Sequence, residues 1–125
     1  MAPCAWAAVD VALWDCLARG AGQPLYRLLG LPHNGVATSV TIGILPPEVV
    51  KERVPEVVSR TGARYLKIKL GSPDGLDADC DMFAAVQEAA NGLGVSLRVD
   101  ANGGWNLAGA QHMMAWLKER GCDYV

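Results

Sequence analysis

Two strand-like runs of the chain carry charged side chains at a spacing that could support chemistry. Lys67 and Lys69 lie in the first run, and Asp100 and Asn102 lie in the second. Because alternate side chains of an extended strand point to the same side, the two lysines share a face, and so do Asp100 and Asn102. Apolar residues occupy the opposite face of each run. The sequence therefore predicts two amines and a carboxylate on the polar face of a sheet.

These residue types are suited to removing a proton from a carbon acid. A second cation on the same face disfavours the charged form of a lysine, so Lys67 could make Lys69 a base, or the reverse. Asp100 could hold a hard divalent cation, which prefers oxygen ligands. The cation would then neutralise a substrate carboxylate while the lysine takes the α-proton.

Structural interpretations of the same residues remain open at this stage. Lysines at a strand end are often solvated, with their stems over apolar neighbours. Asp100 precedes Ala-Asn-Gly-Gly and could simply form a turn. Thr41, a third candidate, is weak evidence alone because threonine is common in strands. The four cysteines, which are widely scattered, are expected to be buried apolar residues.

Hydrophobic periodicity and Gly or Pro signals predict the elements that would position these residues. Two helices come first, and strands then alternate with helices. Pro55 should bend or break the helix in which it lies. We predict helices over 5–18, 25–29, 46–61, 76–90 and from 106 to 120, and strands over 36–44, 65–71, 95–102 and from 122 onward.

The spacing of the candidate residues predicts a repeated unit. Thr41, Lys69 and Asp100 are predicted to occupy matching positions on successive strands and are separated by 28 and 31 residues. A barrel of eight βα units needs about 31 residues per unit. We therefore predict an α/β fold, a partial TIM-type β/α barrel with three βα units and the start of a fourth strand, over residues 32–125. Residues 1–31 would be a preceding helical segment. An open arc leaves strand edges unpaired, so we expect a piece of a longer chain.

Composition excludes several classes of function. A formal net charge of −2 gives no electrostatic reason to bind nucleic acid or an anionic membrane. No apolar run reaches the roughly 20 residues that span a bilayer, and no signal peptide is apparent. We expect a cytoplasmic protein with small-molecule partners, no nucleic acid and no membrane.

The candidate residues also resemble a known family. Lys67-Ile68-Lys69 and the run Val99-Asp100-Ala101-Asn102-Gly103-Gly104-Trp105 are similar to the signature of the enolase superfamily, in its mandelate racemase and muconate-lactonizing branch. Residues 8–15 and 22–30 resemble that branch's approach to the barrel. The similarity is greatest to dipeptide epimerases.

The resemblance implies roles for individual residues. Lys69 would be an acid/base lysine, Lys67 its electrostatic partner and Asp100 the first of three Mg²⁺ ligands. Asn102 would support the substrate or the metal, and Thr41 would touch the substrate. The implied substrate is a small carboxylate, a dipeptide of the L-Ala-D/L-Glu type, and the implied parent protein is a homo-oligomer.

The family pattern is incomplete in this chain. A glutamate that supplies the second metal ligand would follow Tyr124-Val125, and the lysine for the opposite face of the substrate is absent. We therefore expect the 125 residues alone to be inactive. Muconate cycloisomerase or o-succinylbenzoate synthase activity remains open on the same scaffold. So do a Schiff-base aldolase, in which a lysine is the nucleophile, and a non-catalytic α/β remnant or interaction module.

Overall fold

The computed structural model describes residues 2–125, and the chain divides into two compact units, one ending at Val36 and the other beginning at Ala37. The first unit is helical. It contains α1 (Pro3–Gly20) and α2 (Leu25–Leu28). Both predicted helices are confirmed, with ends that differ by a few residues at most.

Helix α1 is apolar around most of its circumference, yet only Ala18 is buried within this unit. Its exposed large apolar side chains are Trp6, Val9, Val11, Leu13, Trp14 and Leu17. The cysteines were expected to be buried, but Cys4 and Cys16 on this helix are also exposed. Neither α1 nor any other helix of residues 2–125 has the length and apolarity needed to cross a bilayer.

The second unit alternates strands with helices. Its elements are β1 (Val40–Ile42), α3 (Pro47–Thr61), β2 (Tyr65–Lys69), α4 (Leu76–Ala90), β3 (Ser96–Asp100) and α5 (Leu107–Glu119). The strands form one parallel sheet in the order β1-β2-β3.

Helices cover one face of this sheet and leave the other face polar. The core joins the apolar face of the strands to one stripe from each helix; it includes Ile42, Val50, Val54, Leu66, Ile68, Phe83, Val86, Val99, Met113 and Leu117. Strands in sequential order, with helices on one side only, are the arrangement of a β/α barrel, whereas a doubly wound sheet has helices on both faces. The predicted α/β fold, a partial barrel preceded by helices, is confirmed.

Both ends of the sheet differ from the prediction. The first strand was predicted over 36–44 but spans only Val40–Ile42. Near the end of the chain, Asp123 N–H donates to Leu97 O at 2.9 Å and Val99 N–H donates to Tyr124 O at 3.0 Å. The structure nevertheless assigns no strand to 122–125, so the predicted fourth strand is present only as backbone contacts to β3.

Pro55 was predicted to bend or break its helix, and the break does not occur, because α3 continues through Pro55. Pro55 lies on the exposed face, where water can solvate the backbone carbonyl that the missing N–H leaves free. Val50, Val54 and Val57 on the other face are at most 2% exposed. Burial of each valine stabilises by about 1.5–3 kcal/mol, which together exceeds the roughly 3 kcal/mol that an interior proline costs.

Asn106, at the predicted start of the helix, caps α5: its side-chain oxygen accepts the Gly109 N–H at 2.8 Å. Met113 and Leu117 are fully buried, whereas Met114 is 58% exposed. Met113 and Leu117, four residues apart, lie on the buried face of the helix. Met114, one residue after Met113, lies about 100° around the helix and points to solvent.

Candidate active site

The polar face of the sheet brings the predicted charged residues together. Lys69 on β2 and Asp100 on β3 are partners in the parallel register, at the carboxyl ends of their strands. Lys67 is the partner of Arg98 one step earlier on the same face. The alternation of side chains along each strand therefore places the amines and the carboxylate on one surface, opposite the helices.

Lys69 is held by two oxygen atoms from β3 and the turn that follows it. Its Nζ donates to Asp100 Oδ2 at 2.7 Å and to Asn102 Oδ1 at 2.7 Å. Because each contact joins residues more than 30 positions apart, they depend on the pairing of β2 with β3. These contacts hold the Lys69 amine at the carboxyl-end edge of the polar face.

A second ammonium group lies beside this pair. Lys67 Nζ is 3.5 Å from the same Asp100 Oδ2, so one carboxylate oxygen lies near two cations. The side chains of Lys67, Lys69 and Asp100 are about one-third exposed, at 36%, 26% and 34%. The cluster has an excess of positive charge and is open to a small anionic molecule.

The turn after β3 has the backbone conformation that brings Asn102 to Lys69. Asn102 has φ +50°, in the left-handed region, and it is the one described residue other than glycine with a positive φ. Asparagine tolerates this region better than most residues. Its N–H donates to Asp100 Oδ1 at 3.1 Å, so Asn102 contacts both members of the ion pair.

We expect Asn102→Ala to lower the free energy of unfolding by about 1 kcal/mol more than Asn102→Gly. Both changes remove the amide that contacts Lys69, but only glycine keeps the left-handed backbone without a steric cost. Urea denaturation of the two variants measures the difference. Equal stability would show that the backbone at residue 102 is not strained.

Asp100 should also make stability depend on pH. The hydrogen bond from Lys69, followed by that from the Asn102 backbone, holds the pKa of Asp100 below its ordinary value of 3.8. The folded protein therefore binds this proton less readily than the unfolded chain. The stabilising effect is complete above that ordinary value and is lost as the pH falls through the lowered pKa.

We expect the stability difference between the chain and Asp100→Asn to be constant from about pH 7 to pH 5 and to shrink below about pH 4. Urea midpoints of both proteins across this range measure it. A difference that grows on acidification would contradict the assigned ion pair.

The structure places Thr41 on the polar face but not in the predicted register. Thr41 is the partner of Lys67, not of Lys69, so it lies two residues nearer the start of the strands. Strands of a barrel are staggered, and a stagger of two residues leaves the facing of side chains unchanged. Thr41 is exposed, and its role as a substrate contact stays a prediction.

Asp79 on α4 was missed by the sequence analysis. Among residues 2–125 it is the one charged residue that is buried, at 1% exposed. Its carboxylate accepts the N–H groups of Gly71 and Ser72, which follow β2, and the indole N–H of Trp105, which follows β3. The available signal was its position three, four and seven residues before Met82, Phe83 and Val86 on the buried stripe of α4.

Arg98 was not among the candidate residues, although it lies on the polar face as the register partner of Lys67. Its guanidinium lies 3.7 Å from the centre of the Tyr65 ring and 4.9 Å from that of Tyr124. It donates to Ser39 Oγ at 3.0 Å. These contacts link β3 to both neighbouring segments and close the inner part of the polar face.

The oxygen atoms at the site suit a hard cation but do not complete its shell. Asp100 and Asn102 offer carboxylate and amide oxygens, the donors that Mg²⁺ takes. Within residues 2–125, no three His, Cys, Asp or Glu side chains gather closely enough to hold a metal ion. This face can therefore supply only part of a metal site.

A cleft of about 340 Å³ lies apart from these residues. It is lined by the segment after β1, by Ser72 and Asp74 after β2 and by the start of α4. Its lining excludes Lys67, Lys69 and Asp100. The candidate site is thus defined by converging charged side chains and not by an enclosed cavity.

Comparison with known proteins identifies both parts of the chain. Residues 1–30 match the family described as the mandelate racemase / muconate lactonizing enzyme N-terminal domain. Residues 49–125 match the family described as enolase C-terminal domain-like. The second match includes every candidate site residue except Thr41.

Two similar proteins are named hydrophobic dipeptide epimerase. The one from Roseobacter litoralis is 62% identical over 125 residues, which are 100% of this chain and 36% of the relative. The one from a Flavobacteria bacterium, strain MS024-2A, is 55% identical over 98% of this chain and 35% of the relative. The chain thus spans about a third of the length of the curated relatives that it matches.

A solved structure supports the same assignment. An enolase from Bradyrhizobium, complexed with magnesium and mandelic acid, superposes with a TM-score of 0.77 and 25% identity. The alignment covers 91% of this chain and 31% of that one. Together with the two domain matches, these similarities show that the chain belongs to the mandelate racemase and muconate-lactonizing branch of the enolase superfamily.

Proposed function

We propose that this chain forms part of a Mg²⁺-dependent dipeptide epimerase, called the whole enzyme below. The observation that supports this proposal most directly is the Lys69–Asp100 contact of 2.7 Å, at the carboxyl ends of neighbouring parallel strands. In β/α barrels, catalytic residues project from this end of the sheet.

Lys69 is proposed to remove the proton at the α-carbon of a dipeptide. The neutral amine takes the proton and becomes an ammonium group, while the electron pair of the C–H bond moves toward the adjacent carboxylate group. Lys67 lies on the same strand and the same face, so it acts on the same side of the substrate. A proton returned to the opposite side must therefore come from another part of the whole enzyme.

Lys67 is proposed to contribute charge and not to transfer the proton. Its Nζ lies 3.5 Å from the carboxylate that also binds Lys69, where a fixed cation attracts an anionic substrate. The charge that develops when the α-proton leaves is stabilised by the same field. Thr41, exposed on the same face, is proposed to contact the substrate.

Asp100 is proposed as a Mg²⁺ ligand, with Asn102 supporting it. Their oxygen atoms are of the right chemical type, and Asn102 N–H already orients Asp100 Oδ1 at 3.1 Å. Bound Mg²⁺ would supply positive charge for the carboxylate of the substrate. Because the ion takes about six ligands, the rest of its shell is proposed to come from other residues of the whole enzyme and from water.

The substrate class is proposed from the relatives. Two proteins named hydrophobic dipeptide epimerase are 62% and 55% identical to the chain. We therefore propose dipeptides with apolar side chains as the first substrates to test, with L-Ala-D/L-Glu as the alternative for the same reaction.

Proton exchange in D₂O tests this function. The whole enzyme, incubated with Mg²⁺ and an apolar dipeptide, should replace the α-proton by deuterium and form the epimer, as followed by NMR and chiral chromatography. Removal of Mg²⁺ with EDTA should stop both, and the 125-residue chain alone should show neither. Turnover of muconate or a succinylbenzoate precursor without dipeptide exchange would overturn the proposal, as would trapping of a lysine–substrate adduct by borohydride.

A further inference from the structure

We infer that Asp79 is a positioning residue that sets the distance between Lys69 and its partners on β3. It lies in the core behind the sheet and does not reach the polar face. Its kinetic consequence rests on the proposed function, but its structural consequence does not.

The Asp79 carboxylate connects the turn that follows β2 with the turn that follows β3. Oδ1 accepts Gly71 N–H at 3.0 Å and Ser72 N–H at 2.9 Å, and Oδ2 accepts Gly71 N–H at 2.9 Å and the Trp105 indole N–H at 2.7 Å. Three donors from two separate turns thus converge on one side chain. We call this set, Asp79 with Gly71, Ser72 and Trp105, the carboxylate clamp.

The clamp lies close in sequence to the residues that it would position. Gly71 is two residues after Lys69, and Trp105 is three residues after Asn102. Leu70, between Lys69 and the clamp, donates its N–H to Asp100 O at 3.0 Å. A shift of either turn would therefore move Lys69 relative to Asp100 and Asn102.

Because Asp79 is buried, its position requires a side chain that accepts hydrogen bonds. A carboxylate at 1% exposure is stable only where donors surround it, and the backbone N–H groups of Gly71 and Ser72 lack another acceptor among the described hydrogen bonds. An apolar residue would pack in the core but would leave these donors unpaired. The hydrogen bonds that it accepts, and not its packing, therefore explain why a charged residue is buried at position 79.

The reactivity of Lys69 in the 125-residue chain tests the clamp without an activity assay. Each lysine is acylated under native conditions, and the modified positions are found by fragment mass spectrometry. In Asp79→Asn, one oxygen is replaced by a donor that faces other donors, so Lys69 should be released and react several-fold faster. Lys51, on α3 beside Glu88, should react at an unchanged rate.

Three further variants calibrate the result. Asp81→Asn makes the same charge change on the exposed side of α4 and should leave Lys69 unaffected. Asp100→Asn removes the main partner of Lys69 and sets the upper limit of its reactivity. Trp105→Phe removes one donor and keeps an aromatic ring, so it decides the question if Asp79→Asn does not fold.

Faster acylation of Lys69 alone supports the inference. Unchanged acylation of Lys69 in folded Asp79→Asn or Trp105→Phe would overturn it, and so would an equal increase at Lys51 and Lys69, which indicates general loosening. In the whole enzyme, Asp79→Asn should lower kcat several-fold with little change in KM. If Asp79→Asn speeds Lys69 acylation but the whole enzyme epimerises no dipeptide, the inference about Asp79 stands and the proposed function is refuted.

Discussion

Replacement of Lys69 by methionine should lower kcat for dipeptide epimerisation by the whole enzyme by about 10²–10⁴-fold. Methionine resembles lysine in length but cannot accept a proton. The loss should extend to deuterium exchange, because removal of the α-proton precedes inversion. The rate of α-proton exchange in D₂O measures the effect.

Two controls separate proton transfer from charge. Lys69→Arg keeps a cation beside Asp100, but a guanidinium does not give up its proton near neutral pH, so this variant should fold normally and be as inactive as Lys69→Met. Lys51→Met removes a lysine on α3 that pairs with Glu88 at 2.8 Å and should retain activity. Exchange by Lys69→Arg above about a tenth of the normal rate would show that Lys69 contributes charge only.

Gly71→Ala should be the most destabilising single change near the site, with a loss of about 2–5 kcal/mol in the free energy of unfolding. Gly71 has φ +86°, and a Cβ there would lie 2.3 Å from Ala101 O and 3.2 Å from Gly104 Cα. The turns after β2 and β3 touch backbone to backbone at this point. A methyl group would therefore force them apart.

Gly94→Ala provides a matched control for this prediction. Gly94 also has a positive φ, +67°, but a Cβ would meet nothing within 4 Å. Its replacement should cost only about 1–2 kcal/mol, the cost of the left-handed backbone. Urea denaturation of both variants gives the comparison, and similar losses would show that the turns can separate without cost.

The facing of the site residues could be predicted from the sequence because it depends on local geometry. Alternation along two strands placed Lys67, Lys69 and Asp100 on one surface, and the pairing of neighbouring βα units brought Lys69 to Asp100. The predicted alignment of Thr41 with Lys69 was wrong, because the stagger between neighbouring strands depends on the whole sheet. The helix does not break at Pro55, because burial of Val50, Val54 and Val57 outweighs the local cost of the proline.

The carboxylate clamp could not be predicted in the same way. Asp79 meets Gly71 and Ser72 eight and seven positions away, and Trp105 26 positions away. No repeat or spacing in the sequence encodes these contacts. An acidic residue on an otherwise apolar stripe of α4 was the available signal, and it indicates burial without naming the donors.

A crystal structure of the whole enzyme with Mg²⁺ and a dipeptide tests the central claim most directly. The account predicts the Lys69 amine within about 3–3.5 Å of the substrate α-carbon, with the Asp100 carboxylate on the metal ion. It would be contradicted by a dipeptide bound away from the polar face while Lys69 Nζ remains on Asp100 Oδ2, at the 2.7 Å seen here.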